Sequence, residues 1–127
     1  MPLVRIDLPQ SIDVNMARKI GETVHKSMIE VINVPENDKF QVITRHPPQG
    51  LNLTSEYLGI RYSDNPILIQ ITLNHGRALE LKKAFYKRLA DDVAALGFRK
   101  EDVVINLIEV PKENWSFGNG AMQYGPK

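Results

Sequence analysis

The sequence contains no cysteine. That removes disulfide scaffolds, zinc ribbons, thiolate nucleophiles and CxxC redox chemistry together, and it fits a cytoplasmic protein. No apolar run approaches the roughly 18 residues that a membrane span needs. The opening MPLVRIDLPQ has no basic start followed by an apolar stretch, so it does not read as a secretory signal. Net charge is also scarce: 16 Lys and Arg stand against 15 Asp and Glu, leaving +1. A balance this close argues against a nucleic-acid or membrane partner. Phosphate-loop, dinucleotide, zinc-protease, nucleophile-elbow and calcium-loop patterns are all missing. The three histidines, His25, His46 and His75, lie on different elements without ligand spacing, so neither a metal nor a cofactor is expected.

What is present describes one globular domain over residues 1–127. The length suits a single core, and 43% hydrophobic with 24% charged residues is ordinary folded composition. Val4, Ile6 and Leu8 alternate with Arg5 and Asp7, which predicts a strand over 3–8, ended by Pro9. Ser11 or Asp13 can cap the helix that follows. Met16, Ile20, Val24, Met28 and Ile32 recur at every fourth position on one side of that helix, and Asn33 with Val34-Pro35 stops it. A second strand is predicted over 40–44, then a turn at 46–50. Residues 51–65 suggest a short hairpin or irregular cover.

Residues 67–73, ILIQITL, form the strongest strand signal, and the near-continuous apolar run predicts burial on both faces. Leu81, Phe85, Leu89, Val93 and Leu96 predict a second helix, closed by Gly97. A last strand covers 103–108, followed by a glycine-rich aromatic tail. The order strand–helix–strand therefore occurs twice, over about 2–50 and 66–117. Two such units with right-handed crossovers make an α+β two-layer sandwich: a four-stranded mixed sheet with both helices on one face. The other face is left uncovered, and its apolar residues predict self-association.

Pro2 is the residue that offers chemistry. A small second residue permits removal of the initiator Met, which frees a cyclic secondary amine at the chain start. Neutral, that amine is a general base; protonated, it is an acid and an anchor for negative charge. A nearby carboxylate favours the charged form, whereas burial or a nearby arginine disfavours it. Pro2 also suits a strand start for a plain structural reason, since a missing N–H does no harm there.

The sequence resembles the tautomerase superfamily, whose members open on an amino-terminal proline, pair two βαβ units and form trimers. MPLVRIDL is similar to that superfamily's first strand. The nearer resemblance is to the malonate semialdehyde decarboxylase group, through VPENDKFQV (34–42), RHP (45–47), ILIQIT (67–72), GR (76–77), KAFY (83–86) and ENWSFGNGAMQY (113–124). The resemblance implies Pro2 as the catalytic amine, with Asp38 as a carboxylate that interacts with it or activates water. It implies Arg77, opening the second helix, as the group that binds the substrate carboxylate. Trp115, Phe117 and Tyr124 match an aromatic wall around the substrate. Some members carry two arginines after the third strand. Here Asn74-His75-Gly76-Arg77 supplies one arginine and an amide three positions earlier, which makes Asn74 a substrate-binding candidate. Arg77, Asp38 and the aromatic residues each also have an ordinary reading, as a solvated first-turn residue, a turn residue and core or subunit contacts.

These residues imply a small carboxylate substrate, a homotrimer and no cofactor. The leading expectation is decarboxylation of a 3-oxo acid by a charged Pro2. The alternatives are keto–enol tautomerisation of a 2-oxo acid by a neutral Pro2, hydration of an unsaturated acid, and a non-catalytic trimeric binding module.

Overall fold

The computed structural model describes residues 2–125. The first strand, β1 (Leu3–Pro9), buries Val4, Ile6 and Leu8, each at most 1% exposed, while Arg5 points the other way. Helix α1 (Val14–Ile32) starts where Asp13 Oδ1 accepts the Met16 N–H at 2.8 Å, so Asp13 rather than Ser11 is the cap. It ends at Asn33, whose φ of 59° turns the chain and lets its N–H reach Met28 O. Strand β2 (Gln41–His46) follows. A two-residue hairpin, β3 (Glu56–Tyr57) and β4 (Ile60–Arg61), turns at Leu58-Gly59 with φ of 50° and 81°. Both values are positive, as a type I′ turn requires.

Strand β5 (Ile67–Asn74), helix α2 (Leu79–Ala94) and strand β6 (Val103–Val110) repeat the order of the first half. The four long strands form one sheet in the order β2-β1-β5-β6. The outer pairs are parallel and the central pair, β1 with β5, is antiparallel, so the sheet is mixed.

The apolar faces of both helices and one face of the sheet share a single core. Ile20, Val24 and Met28 of α1 and Phe85, Leu89 and Val93 of α2 close over Val4, Ile6, Leu8, Ile67, Ile69, Ile71 and Leu73. Truncating one of these strand residues to alanine costs about 2–5 kcal/mol.

Three expectations need correction. Strand β5 is not buried on both faces: Ile67, Ile69, Ile71 and Leu73 are buried, but Gln70 is exposed and Leu68 and Thr72 are half-buried. Both helices lie on the same side, so nothing in one chain covers the other. Helix α2 begins at Leu79, so Arg77 stands two residues ahead of it instead of in its first turn. The same helix ends at Ala94, and tighter turns from Leu96 N–H to Val93 O and Gly97 N–H to Ala94 O carry the chain to Gly97, where φ is 107°. Among the described residues no helix is long and apolar enough to cross a membrane.

Candidate active site

The strand directions bring the candidate residues to one end of the sheet. Pro2 is buried at the start of β1. Strand β2 is parallel to β1, so its start lies at the same end, and the Val4 N–H donates to Phe40 O at 2.9 Å. Asp38, half-buried, sits just before that contact, in a turn closed by its own N–H to Pro35 O at 3.0 Å. Strand β5 runs the opposite way, with Leu3 beside Thr72, so its end at Asn74 arrives here as well. Strand β6 is parallel to β5 and also ends here, with Val110 beside Asn74. The chain then passes through a short 3-10 turn (Lys112–Asn114) into the aromatic tail. Two strand starts and two strand ends thus meet at one end of the sheet.

Asn74 connects two of the candidates. Its main-chain O accepts from Arg77 Nη1 at 3.0 Å, and its side-chain Oδ1 accepts from Trp115 Nε1 at 2.8 Å. Gly76, with φ of 120°, makes the bend that lets the Arg77 side chain turn back toward Asn74. The His75 N–H donates to Val110 O at 3.1 Å and pins the same loop to β6. Arg77 is half-buried, and no carboxylate among the described residues pairs with it. Most of its donors therefore remain available to an anion.

Beside this loop, Glu109 pairs with Lys82 of α2. Its hydrogen bond from Lys82 holds the carboxyl below its ordinary range against an opposing desolvation cost. The Lys82 charge, the Gly76 N–H and His75 add to the lowering.

The aromatic residues form one wall. Trp115 stacks on Phe117 with centroids 5.3 Å apart and planes at 15°. Tyr124 meets Phe117 edge-on at 5.2 Å. Positive φ at Gly118, Asn119 and Gly120 reverses the chain so that Tyr124 can return. Gln123 holds that loop: its Oε1 accepts the Phe117 N–H at 2.9 Å and its Nε2 donates to Gly118 O at 3.1 Å.

The wall includes a residue that sequence reasoning passed over. Phe40 lies 5.9 Å from Phe117, centroid to centroid, and is 43% exposed. Its signal was its place two residues after Asp38, at the mouth of β2. Gln123 was also missed, because a glutamine in a glycine-rich tail carries no pattern of its own.

All seven residues nominated from the sequence, Pro2, Asp38, Asn74, Arg77, Trp115, Phe117 and Tyr124, lie on the segments gathered at this end. Among the described residues no cluster of His, Asp or Glu is placed to hold a metal ion. Met1, whose removal would free the Pro2 amine, lies outside the described residues.

A cavity of about 1170 Å³ opens at the other end of the sheet, between the end of β1, the turn after β2 and the segment before β5. It contains none of these residues. His46 lines it, and its Nε2 lies 2.7 Å from Asp7 Oδ1. The candidate residues lie at the opposite, aromatic-walled end, where Arg77 bonds one backbone carbonyl and pairs with no carboxylate among the described residues.

Comparison with known proteins shows the family. Two family profiles, each described as "Tautomerase enzyme", match residues 2–60 and 38–118. Probable tautomerase YusQ of Bacillus subtilis (strain 168) is 43% identical over 124 residues, covering 97% of this chain and 98% of that protein. The crystal structure of FG41 malonate semialdehyde decarboxylase inhibited by 3-bromopropiolate superposes with a TM-score of 0.90 at 32% identity, over 96% of this chain and 93% of that one. A second malonate semialdehyde decarboxylase superposes at 0.87 with 28% identity, over 96% and 95% of the two chains. It is described in wild-type, proline-to-alanine mutant and inactivated forms, as a basis for decarboxylase and hydratase activities. Profile, sequence and fold point the same way, and the chain belongs to the tautomerase superfamily of isomerases and decarboxylases.

Proposed function

We propose that this enzyme decarboxylates a small 3-oxo acid, with the Pro2 amine as the reactive group and Arg77 as the carboxylate clamp. The observation that supports it most is the order of charge along the sheet. Asp38 precedes β2, Pro2 precedes β1 and Arg77 follows β5, so the amine stands between a carboxylate and a guanidinium. The carboxylate favours a protonated amine. The guanidinium takes the substrate's carboxylate.

In this reading Arg77 holds the carboxylate of the 3-oxo acid, and protonated Pro2 donates to the 3-carbonyl oxygen. The bond between C1 and C2 breaks and CO2 leaves. Its electron pair forms the C2–C3 double bond and places negative charge on the carbonyl oxygen, next to the Pro2 cation. C2 then takes a proton from Pro2 or water and gives the aldehyde or ketone. Alternatively, deprotonated Pro2 adds to C3 and the carbonyl oxygen leaves as water. The resulting iminium accepts the same electron pair and is hydrolysed after C2 is protonated. The wall of Trp115, Phe117, Tyr124 and Phe40 excludes water and strengthens each charge contact. We further propose that copies associate through the uncovered sheet face, as a homotrimer, and act in the cytoplasm. Leu3, Leu68 and Val104 lie half-buried on that face, with Val42 and Ile108 exposed.

A second reading is tautomerisation of a 2-oxo acid by neutral Pro2, favoured by the name of the 43% identical relative. The test uses protein shown by intact mass to have lost Met1. CO2 release from 3-oxopropanoate is compared with ketonisation of a 2-hydroxydienoate. Faster CO2 release, strongly reduced by Pro2→Ala, is the expected result. Ketonisation without CO2 release would put the tautomerase reading first, and neither reaction would leave a binding module.

A further inference from the structure

We propose that Trp115 is a positioning residue that acts through Asn74: its indole N–H fixes the Asn74 amide so that the NH2 is the group presented beside Arg77. The proposal rests on Arg77 as the carboxylate clamp and adds a second donor to it. The Trp115 Nε1 to Asn74 Oδ1 contact is 2.8 Å. An indole N–H can only donate. The amide atom it meets must therefore be the oxygen, so chemistry decides which way this amide faces. Among the described residues Nδ2 then has no hydrogen-bond acceptor. The same residue's main-chain O holds the Arg77 guanidinium at 3.0 Å.

In this proposal the site offers two donors of different kinds, the guanidinium held by the Asn74 main chain and the NH2 of the Asn74 side chain. The guanidinium suits a full carboxylate. The neutral NH2 suits a second oxygen two or three bonds away, which is what a 3-oxo acid or a dicarboxylate carries. Without the indole N–H the amide is free to rotate and present its oxygen, which repels the substrate's oxygens. Trp115 is thus more than apolar wall, and phenylalanine cannot replace it although it would keep the stack on Phe117.

The experiment uses the full chain without Met1 and the dead-end dicarboxylate malonate, which needs no turnover. Trp115→Phe and Asn74→Ala are each expected to weaken malonate binding by about tenfold in calorimetry, with thermal melting near wild type. The double variant is expected to bind no more weakly than the worse single one. Wild-type affinity in Trp115→Phe, or losses that multiply in the double variant, would overturn the proposal.

A second readout separates it from the clamp itself. The chain has a single tryptophan, so 15N-labelled protein gives one indole N–H resonance. It is expected to exchange slowly and to move in Asn74→Ala; a resonance unmoved by that substitution overturns the proposal. If malonate fails to bind wild type while the resonance still moves, the clamp falls and the Trp115–Asn74 coupling stands.

Discussion

The two ends of the sheet treat their polar groups in opposite ways. At the cavity end, Arg45 donates from Nε to Ile12 O at 2.8 Å and from Nη2 to Gln10 O at 2.6 Å. Ser11 donates to Asn65, and His46 faces Asp7. Nearby, buried Asp102 accepts the Ser63 N–H at 2.8 Å and faces Arg99. Arg45 ties β2 to the loop after β1, and Ser11 and Asp102 hold the end of the 51–65 segment through Asn65 and Ser63. At the Pro2 end, Arg77 makes a single bond to a backbone carbonyl and pairs with no described carboxylate. Open volume lies at one end and unspent donors at the other. The proposed site follows the donors left over after the protein has satisfied itself instead of the open volume.

Substitutions at each end can break that contrast. The largest effect is expected from Pro2→Ala in processed protein. Replacing the rigid cyclic secondary amine with a mobile primary one should lower kcat by about 10²–10⁴-fold, with melting unchanged. Steady-state CO2 release checks it, and retained turnover would remove Pro2 from the mechanism.

The next largest effect is a crossover between the two arginines. Arg77→Ala should raise KM for a 3-oxo acid roughly ten- to a hundredfold and leave the melting temperature alone. Arg45→Ala should do the reverse. It leaves the Ile12 and Gln10 carbonyls without their donor and should lower the melting temperature by several degrees, about 1–2 kcal/mol, with kinetics of the folded enzyme intact. Kinetics and calorimetry on the two variants decide it, and equal effects at both ends would dissolve the contrast.

A smaller effect is expected at Phe40. Its ring contributes to the wall but is partly exposed. Phe40→Ala should therefore reduce kcat/KM by about tenfold or less, with little change in melting.

The smallest effect concerns Glu109. Its carboxyl is held below its ordinary value of 4.5 chiefly by the hydrogen bond from Lys82. A depressed folded value means that the contribution is present above about pH 4.5 and is lost as pH falls through the folded value. Glu109→Gln should melt below wild type at neutral pH, and the gap should close on acidification below that range. A gap that persists at low pH would show that Glu109 acts through something other than its charge.

Much of this was legible in the sequence because single periodicities decide single elements. The alternation Val4-Ile6-Leu8 has one buried outcome, and so does the fourfold spacing from Met16 to Ile32. The burial of β5 was misjudged because Leu68 and Thr72 look like core residues, while the exposure of Gln70 depends on where both helices lie. The site was legible as a set of residues and not as a geometry. Nothing local in Asn74 says that its side chain meets an indole 41 positions later. Nothing local in Phe40 says that it faces Phe117. Both contacts depend on strand direction, which brings the starts of β1 and β2 to the ends of β5 and β6.

Decarboxylation as proposed needs a Pro2 amine held charged between Asp38 and Arg77, the clamp for the substrate's carboxylate. The direct measurement is an NMR titration of the Pro2 nitrogen in 15N-proline-labelled protein, after intact mass has shown that Met1 is gone. The expected result is an amine that keeps its proton through neutral pH, titrating above the ordinary range of a free chain-terminal amine. An amine already neutral at pH 7 would contradict it and make Pro2 a resting base, the state a tautomerase needs.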